Sequence, residues 1–503
     1  MSRTLTILLF LFFTSFSSQS QVLPKEGSKL NYRLVGFSVP SVQGANEYIL
    51  EIAKGNFFNA DSFKKNIVFT GNKTGNKIIG EVPSFGEKYT WRIRCNGRNK
   101  SVASVPLHHF CTQSNPRVDT TGQRLRILQS GTGYKDNYVA IDGGGVLYDM
   151  SGNPVWFIPD ANGLGGFVSD IKFTPQGTIT FILGRDAFEI NYNGDVLWKA
   201  PRHNNVNGDT SADSYHHEFV RLSNGHYMLL GREFLMCSYE CSKDSCRAVV
   251  ANDKVKRPGY KKGSFGTIID FDETGNVVWS WKTSKYLLGA DLAYYTSTLD
   301  SGAKFDPHDN CFFFDEKNKV IYLGFRNINR VIKIAYPDGK VLGTYGAAFK
   351  PGTVETGSRI FCNQHGVRLS EDRYLYFFNN NSCCNTDSLP AIVMLQEPAT
   401  PKDSLKIVWQ YTCTMEGDYP KKFTSGGNVL ELPDHSLLVC MGTDYSKLFI
   451  VNRDKEILWS ALPERYMDDK KKWAPVRQYR TNIISRIDLE KIIWNTEAGE
   501  PKE

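Results

Sequence analysis

Three short stretches of this chain place a histidine shortly before a polar turn and an apolar strand. They are Tyr215-His216-His217-Glu218-Phe219-Val220-Arg221-Leu222, Asp306-Pro307-His308-Asp309-Asn310-Cys311-Phe312-Phe313 and Asn363-Gln364-His365-Gly366-Val367-Arg368-Leu369. The 503 residues include only nine histidines. An imidazole near neutral pH serves as nucleophile, general base or metal ligand. If the stretches pack around one axis, their histidines converge on one point. Arg326 follows His308 by one strand, a turn and the returning strand, so it comes back to the same end of that unit. Arg185 and Arg232 follow Leu-Gly pairs at the matching point of two other units. Guanidinium forks facing a histidine cluster suit a tetrahedral oxyanion, because the fork matches paired oxygens.

The elements that must position these residues are read from a repeat. From about residue 125 onward, a polar turn and an apolar strand alternate with an acidic or Gly turn and a strand that often ends in Trp, though Asp338-Gly339-Lys340-Val341 fits without one. Thr174-Pro175-Gln176-Gly177 and Ser223-Asn224-Gly225-His226 are examples of the first half. Ser151-Gly152-Asn153-Pro154-Val155-Trp156 and Thr274-Gly275-Asn276-Val277-Val278-Trp279 are examples of the second. Two hairpins per unit make a four-stranded antiparallel blade, and this period predicts a β-propeller. Six units are expected, at about 137–158, 168–200, 216–282, 308–346, 365–412 and 425–460. The strand-like tail at Thr481–Ile487 would complete the partial first unit and close the ring. The tryptophans are expected to fill the cores between blades. His216 or His217, His308 and His365 then start the innermost strands of units three, four and five. Thr424, Ser425 and Asn428 hold the same region of unit six, and Ser169 and Asp170 that of unit two.

Residues 24–115 differ in texture. Tyr48–Ala53 and Tyr89–Arg94 alternate as half-buried strands do, which predicts a small β-sandwich resembling a fibronectin type III-like module. Gln113 to Gln123 reads as a linker. The chain is therefore expected to be all-β: a small N-terminal β-sandwich, then a six-bladed β-propeller over 125–500. Arg3, the apolar run Leu5–Phe13 and Ser18-Gln19-Ser20 predict a secretory signal over residues 1–20. A periplasmic or secreted protein follows, with no stable membrane insertion, since no run is long enough to span. The formal charge is +7, and no basic stripe is interleaved with exposed aromatics, which argues against nucleic acid.

The eleven cysteines all follow the signal segment, and some should pair in an oxidising compartment. Cys237, Cys241 and Cys246 cluster in one expected loop, and Cys383 and Cys384 are adjacent. A zinc site at the cluster lacks paired C-x-x-C spacing and a nearby histidine. His226 and His435 fall in turns, and His108 and His109 near the linker, where local hydrogen bonding accounts for them. A three-histidine zinc or copper site is disfavoured by the arginines, which repel a cation, so no metal and no cofactor are expected.

These motifs resemble the bacterial arylsulfate sulfotransferase family, whose members are secreted six-bladed propellers. The matching stretches are His216-His217-Glu218 before Leu222-Ser223-Asn224-Gly225, His308-Asp309-Asn310, Arg326, and Gln364-His365-Gly366-Val367-Arg368-Leu369. The resemblance implies that His365 is the nucleophile, taking a sulfuryl group from an aryl sulfate and passing it to a phenol through a sulfohistidine. It implies ping-pong kinetics with no nucleotide sulfate donor. His308, Asn310 and Arg326 would hold the sulfuryl oxygens, with Arg232, Arg185 and Thr424 as further substrate-binding candidates. His217 or His216 would carry the proton, and strand alternation lets only one of them face inward. The chain departs from the family at Gly366, where an acidic residue is common. Two other readings use the same site: hydrolysis of the aryl sulfate, or non-catalytic binding of an anionic or glycan ligand.

Overall fold

One device builds the turns of the repeat. Asp149 accepts hydrogen bonds from the backbone N–H of Ser151 (2.9 Å) and Asn153 (2.8 Å), and Gly152 takes φ +89°. Asp272 does the same for Thr274 and Asn276, both at 2.9 Å, with Gly275 also at φ +89°. Asn191 accepts from Asp195 N–H with Gly194 at φ +91°, and Asn452 from Glu456 N–H with Lys455 at φ +71°. A short acceptor side chain followed three residues later by a left-handed residue reverses the chain in five residues. The strand that follows is delivered antiparallel to the one before.

The computed structural model describes residues 22–97, 101–104, 106–114, 123–159, 167–203, 206, 214–241, 246–252, 261–287, 306–346, 360–382, 389–398, 405–415, 425–442 and 445–495. The chain is all-β. Among the described residues, α-helix is confined to Ala60–Lys65, Thr283–Tyr286 and Arg486–Trp494, and none of these is long and apolar enough to cross a membrane. The chain divides into two units, residues 1–113 and 114–503.

The first unit contains a sheet with the strand order Ser28–Leu30, His108–Thr112, Lys88–Asn96, Glu47–Lys54, Ile67–Lys73, and Ser101–Ser104 also pairs with Lys88–Asn96. Leu34–Ser38 and Lys77–Glu81 form a separate pair. Phe37 of this pair meets Trp91 (5.0 Å between ring centres) and Phe110 (5.9 Å) of the larger sheet. Trp91 and Phe37 are fully buried.

In the second unit, the described residues form six antiparallel sheets. Five begin with the strands Val168–Phe173, Phe219–Arg221, Asp309–Asp315, His365–Leu369 and Asn428–Glu431, each followed outward by its successors in sequence. In the first sheet that leading place is taken by the tail strand Thr481–Ser485, which pairs with Asn137–Ile141 from Asn137↔Ser485 to Ile141↔Thr481. The repeat pattern predicts this pairing. The tail strand ends earlier than expected, because Ser485 accepts from Asp488 N–H and caps the helix Arg486–Trp494. Gln123–Gln129, read in part as linker, is a strand bonded to Ile457–Met467 in the sixth sheet. Its Leu125 is 4% exposed, and this burial of an alternating apolar residue explains the pairing. Cys237, Cys241 and Cys246 lie on two paired strands rather than in a loop, with Cys241 opposite Cys246. Cys383 and Cys384 fall outside the described residues.

The tryptophans join one sheet to the next. Trp156 donates its indole N–H to Tyr192 O (2.8 Å), Trp279 to Pro337 O (2.7 Å), Trp409 to Arg453 O (2.8 Å) and Trp459 to Met150 O (3.0 Å). Trp198 stacks on Tyr227 at 3.8 Å. The Trp459 bond runs from the sixth sheet back to the first. Shared apolar clusters bind the third sheet to the fourth, the fourth to the fifth and the fifth to the sixth. Trp156 and Trp459 are fully buried, whereas Trp279 and Trp409 are half-buried at the joints.

A chain ending at Arg480 lacks the leading strand of the first sheet and exposes the edge of Asn137–Ile141, an unpaired template for aggregation. It is expected to lose most of its soluble yield in size-exclusion chromatography. A soluble, cooperatively unfolding monomer would contradict this role for the tail.

Candidate functional site

Five leading strands carry a residue in the left-handed region at or beside their start: Asp170 (φ 58°), His217 (66°), His308 (60°), Gly366 (66°) and Gly427 (93°). A left-handed non-glycine residue costs roughly 1–2 kcal/mol, and the chain bears that cost at His217 and His308. The three histidines are therefore not one position. His217 and His308 are themselves the kinked residues, whereas His365 precedes its kinked residue, Gly366. Its counterpart in the third sheet is His216. A Cβ at Gly366 would lie 3.0 Å from Asn428 Cβ and 3.2 Å from Asn428 Cα, so the positive φ and the close approach both call for glycine.

The kinks turn the rings together. His217 meets His308 edge to face with ring centres 5.2 Å apart, and Tyr479 lies 5.5 Å from His217 and 6.1 Å from His365. His216 Nε2 lies 3.1 Å from Gly231 O, and His216 Nδ1 lies 2.5 Å from His217 Nδ1. The carbonyl needs a proton from His216 Nε2, so in a neutral ring His216 Nδ1 accepts. His217 Nδ1 then donates, leaving the lone pair on His217 Nε2. His365 is 1% exposed. Gly426 N–H donates to its Nε2 (3.1 Å), which leaves its Nδ1–H to donate to Asn363 O (3.0 Å). Buried Asn380 brackets the ring, with Nδ2 2.9 Å from His365 Nδ1 and 3.1 Å from Gly426 O.

All three buried imidazoles are held neutral. Burial, then the charges of Arg326 and His308, push His365 well below the ordinary histidine value. Burial, His216, His308 and Arg480 do the same to His217. Burial, Arg232 and His308 lower His216 to about 3. Asp306 bonds the backbone N–H of His308 at 2.8 Å. Burial opposes its ionisation, but the bonding and charge of His308 outweigh that and hold it below the usual carboxylate range.

Beneath the rings lies a buried charge cluster. Arg480 Nη1 donates to Asp170 Oδ1 (2.5 Å) and Glu218 Oε2 (2.8 Å), and Nη2 to Asn310 O (2.9 Å). Arg368 and Lys172 each reach Glu218 Oε1 at 2.8 Å. Burial raises the Glu218 carboxyl, but Arg368, Arg480 and Lys172 together hold it well below its ordinary value. Asp142 accepts from the N–H groups of Tyr479 (3.1 Å) and Arg480 (2.8 Å).

The structure thus brings His216, His217, His308 and His365 together, with the Arg326 and Arg232 charges beside them. Arg185 is exposed, and among the described contacts none joins its guanidinium to the rings. Its backbone carbonyl accepts from Tyr215 N–H (3.1 Å), beside His216. Asn310 is fully buried and donates to Gln364 O (2.6 Å), a tether between the fourth and fifth sheets. Thr424 lies outside the described residues. His108 and His109 face Glu26, at 3.3 and 3.0 Å, and His226 pairs with Asp270 at 3.2 Å. Among the described residues no group of three or more His, Cys, Asp or Glu is arranged to hold a metal ion.

Sequence reasoning missed Tyr479, Arg480, Asn380 and Gly426. The first two precede the tail strand, where no repeat unit marks them. Tyr479 is 8% exposed and its hydroxyl has no hydrogen-bond partner. Burial raises that hydroxyl well above the ordinary tyrosine value.

Replacing Arg480 with Met leaves Asp170 and Glu218 short of one cation in the interior. Breaking a buried pair from one side costs about 3–5 kcal/mol, and urea unfolding should show a loss of that order. An unchanged midpoint would contradict the bracing role. The buried histidines set a second expectation. Their folded values lie below the unfolded value near 6.5, so the unfolded chain binds more protons under that pH. Stability is complete above it and falls as pH drops towards about 3, where His216 titrates. Each such proton contributes at most about 1.4 kcal/mol per pH unit. Asp142, raised to about 7 by burial, acts in the opposite sense, so the comparison is between variants. His365→Gln should flatten the acid limb by up to one proton, and a parallel limb would contradict a neutral buried His365.

The family model for arylsulfotransferase (ASST) matches residues 112–395. No curated protein matches the chain. Among solved structures, a Bacteroides caccae protein of unknown function aligns with 14% identity over 72% of this chain and 99% of its own, at a TM-score of 0.39. AztD from Citrobacter koseri aligns with 9% identity over 87% and 98%, at 0.29. The Cps50 (Swd1) beta-propeller domain of Myceliophteria thermophila aligns with 8% identity over 62% and 96%, at 0.32. These likenesses are too distant to carry an argument, whereas the family match covers more than half of the chain and runs through His216, His217, His308, Arg326 and His365. The chain belongs to the arylsulfotransferase family.

Proposed function

We propose that the second unit is a six-bladed β-propeller which moves a sulfuryl group from a phenolic sulfate ester to a phenol through a sulfohistidine at His365. The observation that carries this reading is the meeting of His365 and His217 around Tyr479, both neutral, with His308 against His217 and the Arg326 charge against His365. A neutral imidazole nitrogen is a competent nucleophile and a good leaving group.

In the first step His365 Nε2 attacks sulfur, the N–S bond forms and the S–O bond to the aryl group breaks. Nε2 must first give up its bond to Gly426 N–H, while the Nδ1 bond to Asn363 O keeps the ring in the attacking tautomer. His217 Nε2 takes up a proton from solvent as the anionic ester binds and gives it to the departing phenolate, which leaves as the phenol. In the second step an acceptor phenol loses its proton to His217 Nε2, its oxygen bonds sulfur, and the N–S bond breaks. His216 does not touch the substrate on this reading; it holds His217 in the tautomer with the lone pair outward, as an outer partner orients a metal-ligating histidine. Charge grows on the sulfuryl oxygens during transfer, so Arg326 and His308 act as fixed donors where that charge develops.

The same reading takes residues 24–115 as a fibronectin type III-like sandwich, supported by the Phe37–Trp91 contact between its two sheets. It takes residues 1–20 as a secretory signal and the mature chain as periplasmic or secreted. Disulfide-bonded Cys362 is consistent with an oxidising compartment, and Cys95, Cys111, Cys311, Cys413 and Cys440 are free thiols.

Incubation with nitrophenyl sulfate, with and without phenol, tests the reading. Nitrophenol release that requires phenol, together with one sulfuryl group on the His365 peptide by mass spectrometry, is expected. His365→Ala should abolish both, and Arg326→Ala should lower kcat by roughly 10²–10³. Release independent of phenol would replace transfer by hydrolysis. No release and no modified histidine would overturn the catalytic reading.

A further inference from the structure

The sixth sheet ends in a hairpin, Ile457–Met467 against Lys472–Pro475, with Arg465 opposite Ala474 and Met467 opposite Lys472. Strand alternation puts these four residues on one face and Glu464, Tyr466 and Trp473 on the other. The second face is satisfied: Glu464 holds Arg124 and Arg126 at 2.6 and 2.8 Å, and Tyr466 packs on Trp473. The first face lines a cavity of about 720 Å³, which Lys470 and Arg477 also enter. Among the described residues, four cations line this space and no carboxylate does. Its remaining wall includes Tyr445 and Phe167. Phe167 is 45% exposed, with the Arg477 guanidinium 6.0 Å above its ring.

Four cations with no carboxylate among the described lining residues repel one another, and a half-exposed phenyl ring costs apolar hydration. One ligand class relieves both: a flat aromatic ring carrying more than one negative charge. The cavity volume is that of an ordinary small-molecule site. Gln478 lines it too and directly precedes Tyr479, so the cavity and the histidine site are served by the same short segment. We propose that this cavity is a second binding site, separate from the histidines, for polyanionic aryl compounds such as multiply sulfated or sulfonated aromatics. The assignment does not need the sulfuryl-transfer reading.

Fluorescence anisotropy of hydroxypyrene trisulfonate with the full-length protein tests it. The double variant Arg465→Ser, Lys472→Ser should weaken binding at least 10-fold. His365→Ala should bind like the wild type, as should Lys317→Ser, Lys406→Ser, which removes equal charge from exposed positions elsewhere. Inorganic sulfate at matched ionic strength should displace the probe only weakly, since it has no ring to place on Phe167. Wild-type binding by the cavity variant, or equal weakening by the distant-lysine variant, would overturn the proposal. Loss of binding in His365→Ala would move the probe to the histidines and overturn it as well. Full displacement by sulfate would reduce the site to a simple anion patch. Nitrophenyl sulfate turnover, measured in parallel, separates the two readings: a protein that binds the probe without turnover keeps this site and loses the other.

Discussion

The bonds made by the Arg480 guanidinium hold the second unit in register. A single side chain, 3% exposed, reaches Asp170 of the second sheet, Glu218 of the third and the backbone of Asn310 in the fourth. Glu218 passes the connection to Arg368 of the fifth. Asn428 of the sixth exchanges two hydrogen bonds with the backbone of Thr481, the residue after Arg480. Every sheet is thus tied to the point where the tail strand enters the first sheet. Desolvating these charges is expensive and their attraction only partly offsets it. The cluster is better understood as a device for register than as a source of net stability. It tolerates one arrangement of six leading strands, whereas apolar contacts alone would accept several.

Register at this point decides where the chemistry-bearing side chains go. The charged residue of the cluster and the ring of the site are chain neighbours: His217 before Glu218 and Tyr479 before Arg480. Adjacent residues project differently, so anchoring one below directs the other into the space above. The left-handed backbone at His217 and His308 sharpens that turn. Such strain persists only where surrounding bonds over-determine the conformation, and here the charge cluster and the Asp306 bond to His308 do so.

Much of this was legible in the sequence because repetition writes the same physical requirement several times. The Asx-and-glycine turns, the Trp on the outer strand of every sheet but the fourth, and the tail strand that completes the first sheet all answer to one recurring geometry. What was not legible occurs once. Arg480 and Tyr479 stand outside any repeat, and a lone arginine in a polar tail looks the same whether it is solvated or buried at an axis. The choice between His216 and His217 depended on a kink that spacing does not encode. Gly366 looked like a lost acidic residue, but its positive φ and the close approach of Asn428 both disfavour a side chain.

Burial is the main reason the histidines are neutral, and the charge cluster, with the cations beside it, adds to that effect. Among its charged members, Asp170 and Glu218 face Lys172, Arg368 and Arg480, so the cluster carries an excess of positive charge, to which Arg326 and Arg232 add from the side. At an effective dielectric near 20, one charge about 6–8 Å away is worth roughly 2–3 kcal/mol, enough to hold an imidazole unprotonated at neutral pH. An anionic sulfate ester entering that space cancels part of the field. Its arrival therefore raises the proton affinity of the imidazoles it does not react with, while a nucleophile that is already neutral needs no deprotonation. On the proposed reading, the burial and the cations that keep His365 free of a proton keep His217 free of one as well, and the bound anion, by cancelling part of that field, makes His217 ready to accept one.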